Sequence, residues 1–161
     1  MMERKLPAPV VEFCQRLATL QAGDSASLRR CAGKPLAEAS EALGLFYRIL
    51  PHGVTPLQEE TYFLVATLST LADGGSVGDM GVLLSRARTD KNAKGLDRRI
   101  AIVLDADESQ LPFRLRQAVR YLRSSRVGVD WPLLLSDLLY WSHPDRFIQK
   151  KWARSYYTAE H

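Results

Sequence analysis

Prolines and glycines in this chain fall between apolar segments spaced three and four residues apart. Almost nothing alternates with the two-residue period that a strand requires. The one β-branched alternation, Val127-Gly128-Val129, has only a linker's length. A backbone punctuated in this way predicts an all-α protein, a helical bundle in two small lobes.

Val10, Val11, Phe13, Cys14, Leu17 and Leu20 follow Pro7 and Pro9 at helical spacing, with Gly23 expected to end that helix. Asp24 or Ser25 then caps a short helix carrying Leu28, Arg29 and Arg30, and a third helix is expected over 37–49. Thr55-Pro56-Leu57-Gln58 reads as a capping box with proline at the first helical position. The helix it opens holds Tyr62 to Leu71 and closes at Asp73-Gly74-Gly75. Gly78-Asp79-Met80-Gly81 resembles a GxxG loop, but without flanking strands it reads as the start of a short helix containing Arg86. Further helices are expected over 96–106, 109–125 and 131–142, the last capped by Asp130, and Pro144 opens a final one. The polar, basic stretch 89–95 reads as a mobile loop or a seam. It would divide an N-terminal lobe, 1–95, from a C-terminal lobe with a basic face, 96–161, within one compact domain.

At 161 residues the chain can bury a sizeable core, and 46% hydrophobic with 25% charged residues excludes disordered and fibrous classes. The longest uncharged stretch is the twelve residues between Glu60 and Asp73, whereas a membrane helix takes about 18–20. The opening MMERKLPAPVVEFCQRL begins basic like a signal peptide, yet Glu12, Gln15 and Arg16 break any apolar run. A soluble, cytoplasmic protein without a membrane contact is expected.

Chemistry-bearing patterns are scarce. Cys14 and Cys31 are too far apart for a redox pair and too few for a zinc site, so both are expected to pack as small apolar groups. His52, His143 and His161 have no metal-ligand spacing. Asp105, Asp107 and Glu108 could form an acid/base or metal cluster, but negative charge is also what a helix N-terminus favours, and that reading is preferred. No GxGxxG, Walker lysine or GxSxG motif is present. Neither catalysis nor a metal or cofactor is expected.

Charge is the informative feature. The total of +4 is modest, but residues 1–75 hold 7 basic and 8 acidic groups while 76–161 hold 15 and 10. Within 86–126 there are 11 basic and 5 acidic residues, and 16 of the 22 cations are arginine. Guanidinium is suited to forked, weakly hydrated contacts with phosphate. On the helix over 109–125, Leu111, Leu115, Ala118, Val119 and Leu122 make one apolar stripe. Arg116, Arg120 and Arg123 fall within about 60° of one another, roughly 120° round from it. No acidic residue sits at i±4 to neutralise them. Such a row spans about 10 Å, a phosphate step or two. The row fits a polyanion partner; it equally fits a protein-interaction module that docks an acidic protein. Arg146, Lys150 and Arg154, after the His143-Pro144 turn, admit a third reading as a helix-turn-helix regulator.

Several segments in order resemble one family: Ser27-Leu28-Arg29-Arg30, Phe46-Tyr47-Arg48, Asp97-Arg98-Arg99, Ala106-Asp107, Phe113-Arg114-Leu115-Arg116-Gln117, Asp130-Trp131, Trp141 and Trp152. Together they are similar to CasB, the small subunit of the type I-E CRISPR surveillance complex Cascade. The resemblance implies a helical, non-enzymatic protein of antiviral defence. Its implied partners are the large and backbone subunits, further copies of itself head to tail, the displaced non-target DNA strand, and the guide RNA–target DNA duplex. It implies backbone contacts that stabilise the R-loop, sequence being read by base pairing. Arg29, Arg30, Arg86, Arg98, Arg99, Arg114 and Arg116 stand at matching positions and are its implied nucleic-acid contacts. Arg120 and Arg123, like Lys91 and Lys94, lie outside the family pattern; Arg120 and Arg123 rest on the helix-face argument alone.

Overall fold

The computed structural model describes residues 5–159, so the first four residues of the basic opening, and His161, lie outside the described residues. Among the described residues the regular structure is wholly helical. The α-helices are α1 (Ala8–Ala18), α2 (Ala22–Arg30), α3 (Leu43–Ile49), α4 (Glu59–Leu68), α5 (Met80–Ala87), α6 (Ala93–Asp105), α7 (Leu111–Ser124), α8 (Trp131–Leu138) and α9 (Phe147–Tyr157). Short 3-10 turns at Leu36–Glu38 and Pro56–Gln58 precede α3 and α4. Among the described residues no helix is long and apolar enough to cross a membrane.

Local signals set most starts. Thr55 and Gln58 form the expected capping box, with the Thr55 amide donating to Gln58 Oε1 at 3.2 Å. Asp79 caps α5 by accepting from the Val82 amide at 2.9 Å, so Gly78–Gly81 is a helix start. Asp130 caps α8 through Leu133 at 3.2 Å and also accepts from the Gly78 amide at 3.0 Å, tying the two caps together. The stretch before α7 is held by Asp107, which accepts from the Ser109 and Gln110 amides at 2.9 Å each. These hydrogen bonds, the Ser109 hydroxyl first, keep its carboxyl below the usual range.

Four boundaries depart from the sequence reading. Gly23 does not end the first helix: α1 stops at Ala18, Gln21 precedes α2, and Gly23 lies in its first turn. The helix expected over 37–49 begins only at Leu43: Leu36–Glu38 form a separate 3-10 turn whose Leu36 amide donates to Glu60 at 3.1 Å, and the chain then turns to bury Ala39 and Ala42. The last helix starts at Phe147 rather than at Pro144, since Arg146 adopts a left-handed backbone with φ 51°. Residues 89–92 form a turn tied by the Thr89 amide to Asn92 Oδ1 at 2.7 Å and by Asn92 Nδ2 to the Ala87 carbonyl at 2.9 Å. Gly95 already lies inside α6, which begins at Ala93 and not at 96.

Side chains from every α-helix contribute to the buried core. Phe13, Phe46, Tyr62 and Phe63 meet edge to face at 5.0–6.2 Å in its N-terminal part. Trp141 and Trp152 meet at 5.0 Å in the C-terminal part. Trp131, Trp141 and Trp152 are all buried. So are Cys14 and Cys31, both free thiols.

Candidate nucleic-acid interface

α6 and α7 pack on each other and are joined by the short connection 106–110. Each has a core-facing stripe: Leu96, Ile100 and Val103 on α6, and Leu111, Leu115, Ala118, Val119 and Leu122 on α7. The α7 stripe is the one its spacing predicts. Residues off those stripes face outward along the seam between the helices. There Gly95, Arg98, Arg99 and Ile102 oppose Phe113, Arg114 and Gln117 across a groove of about 540 Å³. Among the described residues no carboxylate lines it.

The structure thus brings Arg98, Arg99 and Arg114 to one place. Arg98 is exposed, whereas Arg99 and Arg114 are half-buried. The Arg99 guanidinium lies 5.0 Å from the centre of the Tyr121 ring, and its Nε is buried without a hydrogen-bond acceptor. Arg116 belongs to a second groove of about 730 Å³, whose walls include Gly33, Lys34, Glu60 and Glu108. It is half-buried, 5.6 Å from the Phe113 ring centre and against Gly33, where a Cβ would stand 2.1 Å from its Nη1. Arg120 and Arg123 are exposed further along α7 and line neither groove.

The remaining predicted cations are separate from this groove. Arg86 is exposed on α5. Arg29 is exposed on α2, its Nη2 reaching the Thr70 carbonyl at 3.5 Å. Arg30 is ion-paired: its Nε donates to Glu41 at 2.6 Å, and that hydrogen bond holds the Glu41 carboxyl below its ordinary range. Among the described residues, Arg30 alone of the nine candidate arginines forms an ion pair. Arg88 is neutralised by Asp97 at 3.1 Å, and the same carboxylate accepts from the Tyr156 hydroxyl of α9.

Two other sequence candidates resolve locally. Asp107 serves the turn before α7 and Glu108 accepts from the Ser142 hydroxyl; among the described residues no cluster of His, Cys, Asp and Glu could hold a metal ion. Arg146, the first cation of the supposed recognition helix, donates to the Leu104 carbonyl at 2.6 Å, and Ile148, Trp152 and Tyr156 bury α9 in the core. A helix committed in this way to packing is poorly placed to enter a groove of duplex DNA. The residue that sequence reasoning overlooked is Phe113, half exposed on the groove wall. Its signal was present, since it lies on the opposite side of α7 from the apolar stripe.

Fold and site together define an all-helical protein with a carboxylate-free arginine groove on a closed core. The chain belongs to the Cse2 family of CRISPR-associated proteins, also called CasB: the family model described as CRISPR-associated protein Cse2 matches residues 24–157. It is 40% identical over 104 residues to a CRISPR-associated protein Cse2 of Thermus thermophilus. That match spans 63% of this chain and 59% of the relative's own length. The crystal structure of a Cse2-family protein from the same organism aligns with a TM-score of 0.82 at 30% identity, covering 96% of this chain and all of that one. A chain of a CRISPR RNA-guided surveillance complex shares the fold, with a TM-score of 0.80 at 24% identity over 92% of this chain and 91% of its own.

Proposed function

We propose that this protein is a non-catalytic subunit of an RNA-guided CRISPR surveillance complex of the Cascade type. In that assembly it binds nucleic-acid backbone without sequence preference and helps hold an opened R-loop. The observation that carries the reading is the meeting of Arg98, Arg99 and Arg114 in a groove without carboxylates, on a member of the Cse2 family. Guanidiniums that no carboxylate neutralises are free to replace the counterions of phosphates, and phosphate contacts position a strand without reading it. Arg120, Arg123, Arg86 and Arg29 are exposed outside this groove and offer further backbone contacts, whereas Arg30 is engaged with Glu41.

The partners in this reading are the displaced single strand, the guide–target duplex, the large and backbone subunits, and further copies of the chain. It acts in the cytoplasm and needs no cofactor. The test is a salt titration of the full chain on two single-stranded oligonucleotides of unrelated sequence. Equal affinities, each falling linearly in log–log form with salt, are expected. Preference for one duplex sequence over random single strands would replace this reading with a sequence-specific regulator. No binding at low salt would leave a protein-docking module.

A further inference from the structure

The groove between α6 and α7 is more than a row of charges. Phe113 is 53% exposed and Ile102 is 37% exposed, although both are large apolar side chains for which water is a poor neighbour. They stand among Arg98, Arg99 and Arg114, with the amide side chains of Gln110 and Gln117 alongside. Phe113 lines both grooves and so forms the wall between them, while Arg116, which lies 5.6 Å from its ring, lines only the second. A pure phosphate track has no use for an aromatic wall and an aliphatic floor. A nucleotide has a use for each: a flat apolar base, hydrogen-bonding base edges and an anionic phosphate.

We propose that this groove holds one nucleotide of a single strand, its base stacked on Phe113 and its phosphate on the guanidiniums of Arg98 and Arg114. The inference rests on the backbone-binding reading and adds a base contact to it. Stacking on an aromatic ring tolerates any base, because every base presents a π face. The site therefore retains a strand that has been unpaired, and rejects a duplex whose bases are already stacked.

The experiment compares wild type with Phe113→Leu and Phe113→Tyr on two twelve-nucleotide strands, one of deoxythymidine and one of the same length with abasic sugars throughout. Phe113 is exposed, so both variants should fold, and circular dichroism verifies this. Phe113→Leu should weaken binding to the base-bearing strand by about tenfold, within the range for loss of one stacking platform. It should leave the abasic strand and both salt slopes unchanged, and Phe113→Tyr should retain wild-type affinity. Equal affinities of wild type and Phe113→Leu for the thymidine strand, or equal losses on both strands, would overturn the stacking proposal while leaving backbone binding intact. A wild-type protein that fails to bind the abasic strand at low salt would overturn the backbone reading, and binding to neither strand would overturn both.

Discussion

The indole Nε1 of Trp152 donates a 2.8 Å hydrogen bond to Oδ2 of Asp137, a carboxylate with no exposed surface. The other oxygen, Oδ1, accepts from Lys151 Nζ at 2.7 Å. Two successive residues of α9 thus satisfy one buried charge on α8. Asp137→Ala leaves an indole donor and a lysine without their acceptor. It should cost about 3 kcal/mol, the low end for a broken buried pair because Lys151 keeps access to water. Asp137→Asn, which keeps an acceptor, should cost less. Urea midpoints of the two variants check this, and equal midpoints for wild type and Asp137→Ala would refute it.

At Gly81, α5 packs directly against the backbone of α9. A Cβ there would stand 2.1 Å from the Trp152 carbonyl oxygen, a backbone atom that cannot rotate away. Alanine normally improves a helix interior by about 0.5–1 kcal/mol over glycine. Here Gly81→Ala should instead destabilise by on the order of 1–3 kcal/mol, as overpacked cores do. Thermal melting decides the sign: a raised melting temperature would mean the helices separate at no cost.

Cys14 gives a pH prediction. Burial, reinforced by the charge of Asp130, pushes its thiol up from 9.0 to about 12. Tyr62 is also pushed up to about 12, by burial and then by Cys14. A folded value above the unfolded one means a stabilising contribution fully present below pH 9, declining as pH rises towards 12. Native protein at about pH 8.5, near the ordinary thiol value, should resist alkylation by iodoacetamide, whereas protein in urea should react rapidly. Cys14→Ala should make the alkaline loss of stability less steep. Prompt alkylation of the native thiol would contradict the assigned burial.

On α7, replacing Arg116, Arg120 and Arg123 together by alanine should leave the fold nearly intact, because none of the three belongs to the buried core. If each neutralises one phosphate, the salt slope on a single strand should shrink by about 0.7 per arginine, about 2 in all. The loss should be equal on unrelated sequences. Arg116 is held against Phe113 and Gly33, so restoring it alone should recover less than restoring Arg120 and Arg123. A folded triple variant with an unchanged slope would confine binding to Arg98, Arg99 and Arg114.

The helical class, most helix starts and the apolar stripe of α7 were legible in the residues, because period and capping are local properties. The capping hydrogen bonds of Asp130, Asp79 and the Thr55–Gln58 pair each span three residues, although Asp130 also reaches Gly78 and Asp79 also reaches Ser155. Other features depended on what the fold carried alongside. Glu60 anchors the Leu36 amide from 24 residues away, and Arg30 is paired with Glu41, 11 residues on. Of the arginines aligned by helix arithmetic, Arg116 lines the second groove while Arg120 and Arg123 line neither groove. Arg98, Arg99 and Arg114 instead meet across two helices. Periodicity assigns each side chain an angle on its own helix. Only packing decides which angles face each other, which guanidinium finds a carboxylate, and why Phe113 is left uncovered.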